Sequence, residues 1–290
     1  MANTPLKNEL FTLKREYEKL RTGKESLLKI LDEAEISEIV YNSNAIENST
    51  LTLKETEKIL LDLEVSRHIS FREAYEAKNL ARVIEYVRET ALHQEMTQQL
   101  LLDLHLMLLT NIRDEIAGRF RMKGEYVRVG PHVAPPPEKV VDNIEQLILD
   151  YASDQWTYFI DKIAQFHLNF EMIHPFNDGN GRMGRVMINY QLQRLGFPSI
   201  MIRDKEKKKY YQALRIYDFS QNTRIMEKIF GLALLESLHK RVTYLRGESI
   251  VTVADYARQT QKSVAALLNA AKRQTIPAFR ERGVWKIGVE

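Results

Sequence analysis

The chain contains no cysteine, only 8 prolines and 12 glycines in 290 residues, and no apolar run near the roughly 18 residues of a membrane helix. Without thiols there is no disulfide framework, no thiolate nucleophile and no cysteine metal site, so any nucleophile is oxygen or nitrogen. The absence of cysteine suits a reducing compartment, and the N-terminus MANTPLKNELFTLKREYEKL is charged throughout, unlike a secretory signal. A cytoplasmic protein without membrane attachment is expected. Signatures of other enzymes are missing too: there is no HExxH, no GxSxG and no GxxxxGK[ST]. A large excess of one charge is also lacking, with 42 Lys and Arg against 39 Asp and Glu. The bulk of the chain is therefore no polyelectrolyte binder. Only residues 250–290 lean basic, with Arg258, Lys262, Lys272, Arg273, Arg280, Arg282 and Lys286 against Asp255, Glu281 and Glu290.

What is present is helical periodicity. Apolar residues recur at steps of three and four through most of the chain, and glycine and proline are confined to short breaks, which predicts an all-α protein. Helices are expected near 5–20, 24–46, 53–62, 71–90, 97–112, 138–153, 156–173, 182–195, 206–217 and 223–243. The clearest carries Trp156, Phe159, Ile160, Ile163, Phe166, Phe170 and Ile173 on one wide aromatic stripe, the mark of a central helix. Thr52 with Glu55, and Ser70 with Glu73, read as capping boxes. Residues 125–134, ahead of Pro135, Pro136 and Pro137, predict a short hairpin and a stop. Beyond Gly247, a capped helix from Thr252, a turn at Lys262 and Ser263, a second helix over 264–273 and a hairpin around Gly283 suggest a small winged helix-turn-helix. Its Lys262, Lys272, Arg273, Arg280 and Arg282 would face DNA; packing or protein recognition is the alternative. The expected organisation is 1–95, 96–245 and 246–290. His105 and His167 sit on apolar faces as core residues, and His68 and His132 are isolated.

The most informative segment is HPFNDGNGRMGR, residues 174–185. Pro175 disfavours helical geometry at His174, so the helix ends and presents the histidine at a loop. Gly179, Asn180 and Gly181 let the backbone turn tightly, and the next helix would aim its positive N-terminus into the loop. Asp178 is the loop's one carboxylate, a hard ligand of the kind that shares Mg²⁺ with phosphates. Arg182 and Arg185, at i and i+3, can fork onto successive phosphates.

This segment resembles the HPFx(D/E)GNGRxxR signature of the Fic family at every specified position, and the resemblance extends over about residues 30–240 through GRFR at 118–121, the hairpin and KKYYQAL at 208–214. The resemblance implies a Fic-type helical core with a β-hairpin flap, and an activity that moves AMP from ATP to a protein hydroxyl. In that reading His174 is the general base, Asp178 binds Mg²⁺, and Asn180 holds the α-phosphate. Gly179 and Gly181 offer amides, Arg182 takes the β-phosphate, Arg185 takes the γ-phosphate, and Tyr210 lies near the adenosine. Val127, Arg128, Val129 and Gly130 would form the flap that aligns an extended target segment. Asp218 stands where some members carry asparagine.

Upstream, SNAIEN (43–48) places Ser43 and Glu47 on one helix face. It resembles the (S/T)xxxE(G/N) inhibitory motif, which implies that Glu47 pairs with Arg185 in place of the γ-phosphate. Related proteins often dimerise, so a homodimer is a possible state. Three alternatives stand beside AMP transfer: another nucleotide or phospho-donor on the same fold, removal of AMP with Glu47 placing water, and a DNA-binding regulator acting through the C-terminal segment.

Overall fold

The computed structural model describes residues 4–65 and 69–289; His68 falls outside them. In chain order the elements are α1 (Thr4–Arg21), α2 (Glu25–Ile46), α3 (Leu53–Leu60), α4 (Phe71–Thr90), α5 (Gln98–Leu109), β1 (Arg128–Val129), β2 (His132–Val133), α6 (Val140–Ser153), α7 (Phe159–Ile173), α8 (Asn180–Arg194), α9 (Lys207–Ser220) and α10 (Arg224–Arg246). There follow β3 (Ser249–Thr252), α11 (Val253–Gln259), α12 (Val264–Lys272), β4 (Ala278–Glu281) and β5 (Val284–Val289). All ten helices expected before residue 245 are present, each end within three residues of the periodicity estimate.

One start differs. Asp154 accepts from the backbone N–H groups of Trp156 and Thr157, both at 3.0 Å, and this local turn competes with the helix. α7 therefore begins at Phe159, and Trp156 stands 96% exposed instead of joining the stripe. The capping box at Thr52 and Glu55 is complete. At α4, Ser70 caps the Glu73 N–H, while the Glu73 carboxylate accepts from the N–H and hydroxyl of Thr50.

The chain divides into two compact units: Ile36–Gly196 with Met201–Glu227, and Met1–Glu35 with Phe197–Ile200 and Lys228–Glu290. The division runs through α2 and α10. In the first unit α7 packs against α6 and α8, α4 against α5 and α8. Phe166, Phe170, Phe176, Leu104, Leu108, Met183 and Tyr190 meet there in one core. α7 and α8 approach closely because residue 184 is glycine. A Cβ there would lie 2.7 Å from Glu171 Oε1 and 2.8 Å from His167 Cε1.

In the other unit β3, β5 and β4 form an antiparallel sheet in that order, with β3 unforeseen by the sequence. α11 and α12, capped by Thr252 and Ser263, close a small core of Val253, Ala257, Leu267, Ala271, Ala278 and Ile287 with this sheet. Arg280, expected to face DNA, is instead bidentate to Glu236 and lies over the Trp285 ring at 4.5 Å. Lys286 pairs with Glu281. The unit also holds Arg241, 1% exposed, whose guanidinium donates to Asp32 at 2.5 Å and Glu35 at 2.8 Å. Removing one partner of a buried ionic group strands the others, so Arg241→Met is expected to cost about 3–5 kcal/mol, read as a lower urea midpoint.

Candidate active site

The site is built where α7 hands over to α8. α7 ends at Ile173, and His174 takes left-handed geometry (φ 48°, ψ 61°) while its N–H still donates to Phe170 O at 2.9 Å. The loop that follows is irregular backbone, so side chains must satisfy it. Asn180 does so from within: Phe176 N–H donates to its Oδ1 at 2.9 Å and its Nδ2 donates to Phe176 O at 2.8 Å. His105 does so from α5. Its Nδ1 accepts from Gly118 N–H at 3.1 Å, so Nε2 carries the hydrogen donated to Asp178 O at 3.0 Å, and its ring stacks on Phe176 at 3.7 Å. Arg121, 3% exposed, donates to the carbonyls of His174, Ile173, Pro135 and Glu125 at 2.8–3.2 Å.

α8 begins at Asn180, two residues before the expected start, with Gly179 at φ 81° as its N-cap. Among the described residues no side chain caps this terminus, so its first-turn amides point into the loop. Arg182 and Arg185 leave the same helix end, and both are buried. Arg185 Nε donates to Ser43 Oγ at 2.9 Å, and its Nη2 donates to Ser43 O at 2.9 Å and Glu47 Oε1 at 2.8 Å. Glu47 reaches the arginine across Gly181, where a Cβ would sit 2.2 Å from Glu47 Oε1.

This is the arrangement that the loop motif and the Ser43/Glu47 motif together anticipate. Residues 95–192 match the Fic/DOC family model. Over those residues the chain carries a Fic domain. It is 28% identical over 248 residues to protein adenylyltransferase fic-1 of Caenorhabditis elegans, covering 83% of this chain and 45% of that one. It is 32% identical over 180 residues to protein adenylyltransferase Fic of Nematostella vectensis, covering 60% and 42%. The chain thus spans less than half the length of both relatives. Among solved structures, a Fic domain containing signaling protein from Bacteroides thetaiotaomicron superposes with a TM-score of 0.73 at 25% identity, covering 83% of this chain and 98% of that one.

The Fic loop holds a network that the sequence did not reveal. Arg72, in the first turn of α4, donates to Asp178 Oδ2 at 3.0 Å and to Glu76 Oε1 at 3.0 Å. Arg182 lies between the same two carboxylates, 3.3 Å from Asp178 Oδ1 and 3.5 Å from Glu76 Oε1. The expected metal ligand and the first motif arginine are thus already engaged. Asp178 is the one carboxylate of the loop, and among the described residues no three acidic, histidine or cysteine groups cluster tightly enough to hold a metal alone.

Tyr210, expected near the adenosine, lies in the interior. It is 1% exposed, and its hydroxyl meets His167 Nε2 at 2.7 Å. One position along the same helix turns a side chain by about 100°, and there Tyr211 is half-buried, donating to Ile46 O at 3.1 Å. The expected flap is the two-residue pair β1 and β2, each strand with one edge unpaired among the described residues. His132, on β2, contacts Asp218 Oδ1 at 2.7 Å and Met172 O at 2.9 Å, which gives the unusual aspartate a partner in the flap.

Burial governs the ionisable groups. It pushes His105 and His174 down to about 4 and His167 down to about 3, so all three are neutral near pH 7. Glu171 moves the other way, up to about 8, through burial and then the nearby Glu47 carboxylate. The two shifts oppose each other in stability. The histidines bind protons on unfolding, which lowers stability as pH falls from their ordinary 6.5 toward 4; Glu171 releases its proton on unfolding, which lowers stability as pH rises from 4.5 to about 8. The melting temperature is therefore expected to fall in both directions from a maximum near pH 6.5, and Glu171→Gln to flatten the alkaline side between 6.5 and 8.

Proposed function

We propose that the chain is a protein adenylyltransferase that moves AMP from ATP to a Ser, Thr or Tyr hydroxyl of a protein, with Glu47 as its brake. The observation that carries this reading is the tautomer of His174. Its Nδ1 faces the Glu171 carbonyl at 3.3 Å, and a carbonyl can only accept, so Nδ1 bears the hydrogen. Nε2 is left with a lone pair and, among the described residues, no partner. It can take a proton from a hydroxyl whose oxygen attacks the α-phosphorus, while the bond from phosphorus to the bridging oxygen breaks and pyrophosphate leaves. Two relatives named protein adenylyltransferases support the same chemistry.

The remaining residues supply positioning. The amides at Gly179–Gly181 and the two arginines match a triphosphate laid along the start of α8. Asn180 has one amide hydrogen beyond its bond to Phe176 O with which to meet the α-phosphate. Asp178 would hold Mg²⁺, which neutralises phosphate charge when bound. The flap edge would receive an extended target segment. A cytoplasmic setting accompanies this reading because the reaction consumes ATP. The C-terminal sheet and helices have the order of a winged helix, but the commitment of Arg280 to Glu236 and Lys286 to Glu281 weakens a DNA-regulator reading.

Glu47 and a γ-phosphate compete for one guanidinium. A charge-assisted bond contributes about 1.5–3 kcal/mol, roughly ten- to a hundred-fold in occupancy. Glu47→Gly is therefore expected to raise labelling from radioactive ATP at least tenfold, self-modification included, and His174→Ala in that background to abolish it. Intact mass after incubation with ATP, CTP, GTP or UTP identifies the donor; no mass gain with any of them overturns the reading. Arg72→Ala frees Asp178 from an exposed ion pair worth up to about 1 kcal/mol, so half-saturation by Mg²⁺ is expected to fall by up to about fivefold in a calorimetric titration with ATP.

A further inference from the structure

Glu171 is a buried acid to which the proposed chemistry gives no task. It lies in the last turn of α7, three residues before His174, and is 6% exposed. Its Oε1 makes no hydrogen bond among the described residues, and its Oε2 stands 3.9 Å from His174 Nδ1. The slot that contains it exists only because residue 184 lacks a side chain. An unsatisfied buried polar group is destabilising, and a native one calls for an explanation. Structure alone supplies none: among the described residues the carboxyl caps no helix, and Arg185, whose charge draws its pKa down, is bound to Ser43 and Glu47.

Its neighbours come from every side. Glu47 follows α2, Arg185 comes from α8, His167 from α7 and Tyr210 from α9, while Arg121 and His132 bear on His174 itself. We infer that Glu171 is the positioning residue of the base, its carboxyl backing the Nδ1 edge of His174 so that the imidazolium formed during transfer has a partner. The inference rests on His174 being the base. In the step, the target O–H breaks, its proton goes to Nε2 and its electron pair forms the new oxygen–phosphorus bond. Pyrophosphate departs with the pair of the bond that breaks. Nδ1 keeps its hydrogen, and a modest side-chain rotation closes the 3.9 Å gap to Glu171. Glu47 is among the groups that keep the acid protonated, so its withdrawal favours the carboxylate. The base then gains a charged partner as the brake is lifted.

The test uses Glu47→Gly as the reference enzyme. Glu171→Gln keeps the shape of the side chain and removes its charge. It is expected to lower kcat roughly tenfold, to leave KM for ATP within about twofold, and to remove the rise of kcat with pH between about 6 and 9. Glu171→Asp should restore part of that rise. Proton–nitrogen NMR of the histidine rings supplies a readout independent of turnover: with the fold intact by melting temperature, the His174 ring resonances should move as Glu171 ionises, and Glu171→Gln should abolish that movement. An unchanged pH profile together with an unchanged pH response of the His174 ring overturns the inference. Inactive Glu47→Gly with every nucleotide instead overturns the function on which it rests.

Discussion

Irregular backbone held between two packed helices keeps one shape only when other groups saturate its amides and carbonyls. Here three side chains from three parts of the chain do this. Asn180 closes the loop on Phe176, His105 fixes Asp178 from α5, and Arg121 gathers carbonyls from the end of α7 and the base of the flap. The same bonds orient the chemistry. With His174 turned into left-handed geometry and its carbonyl held by Arg121, the imidazole is directed by the fold rather than by a ligand.

The charges obey a second constraint. Three guanidinium groups, those of Arg72, Arg182 and Arg185, lie about the start of α8, whose own dipole is positive. Such a cluster would repel itself unless anions were interleaved. The chain provides Glu47, Glu76 and Asp178, so that every arginine has at least one carboxylate contact at 3.5 Å or less. A polyphosphate entering this place exchanges one set of negative oxygens for another. Affinity then reflects the difference between two filled states, which is smaller than the sum of the new contacts.

The sequence displayed those features that depend on neighbours along the chain. Helix limits followed from periodicity and caps, the α7 stop from Pro175, and the Glu47–Arg185 pair from two motifs read together. It concealed features that depend on distant partners. Nothing local marks Arg72 and Glu76 as facing the loop, or Arg121 as a collector of carbonyls. Tyr210 and Tyr211 are adjacent and chemically alike, and only the rotation of α9 decides which is buried. Trp156 looked like core because its spacing fitted the stripe, yet the Asp154 turn ended the helix first. β3 pairs with β5 across more than thirty residues, a separation at which alternation in a four-residue segment carries little signal.

Gly181 gives the contact between Glu47 and Arg185 an unusual genetic character. Glu47 occupies space that any other residue at position 181 would fill, so the contact depends partly on atoms being absent from the opposite helix. Every substitution there adds atoms. A contact of this kind is exposed to loss from two unlinked positions, one by deletion of a carboxylate and the other by insertion of a methyl group. The chain cannot strengthen it by enlarging residue 181, and compensation must come from the α2 side.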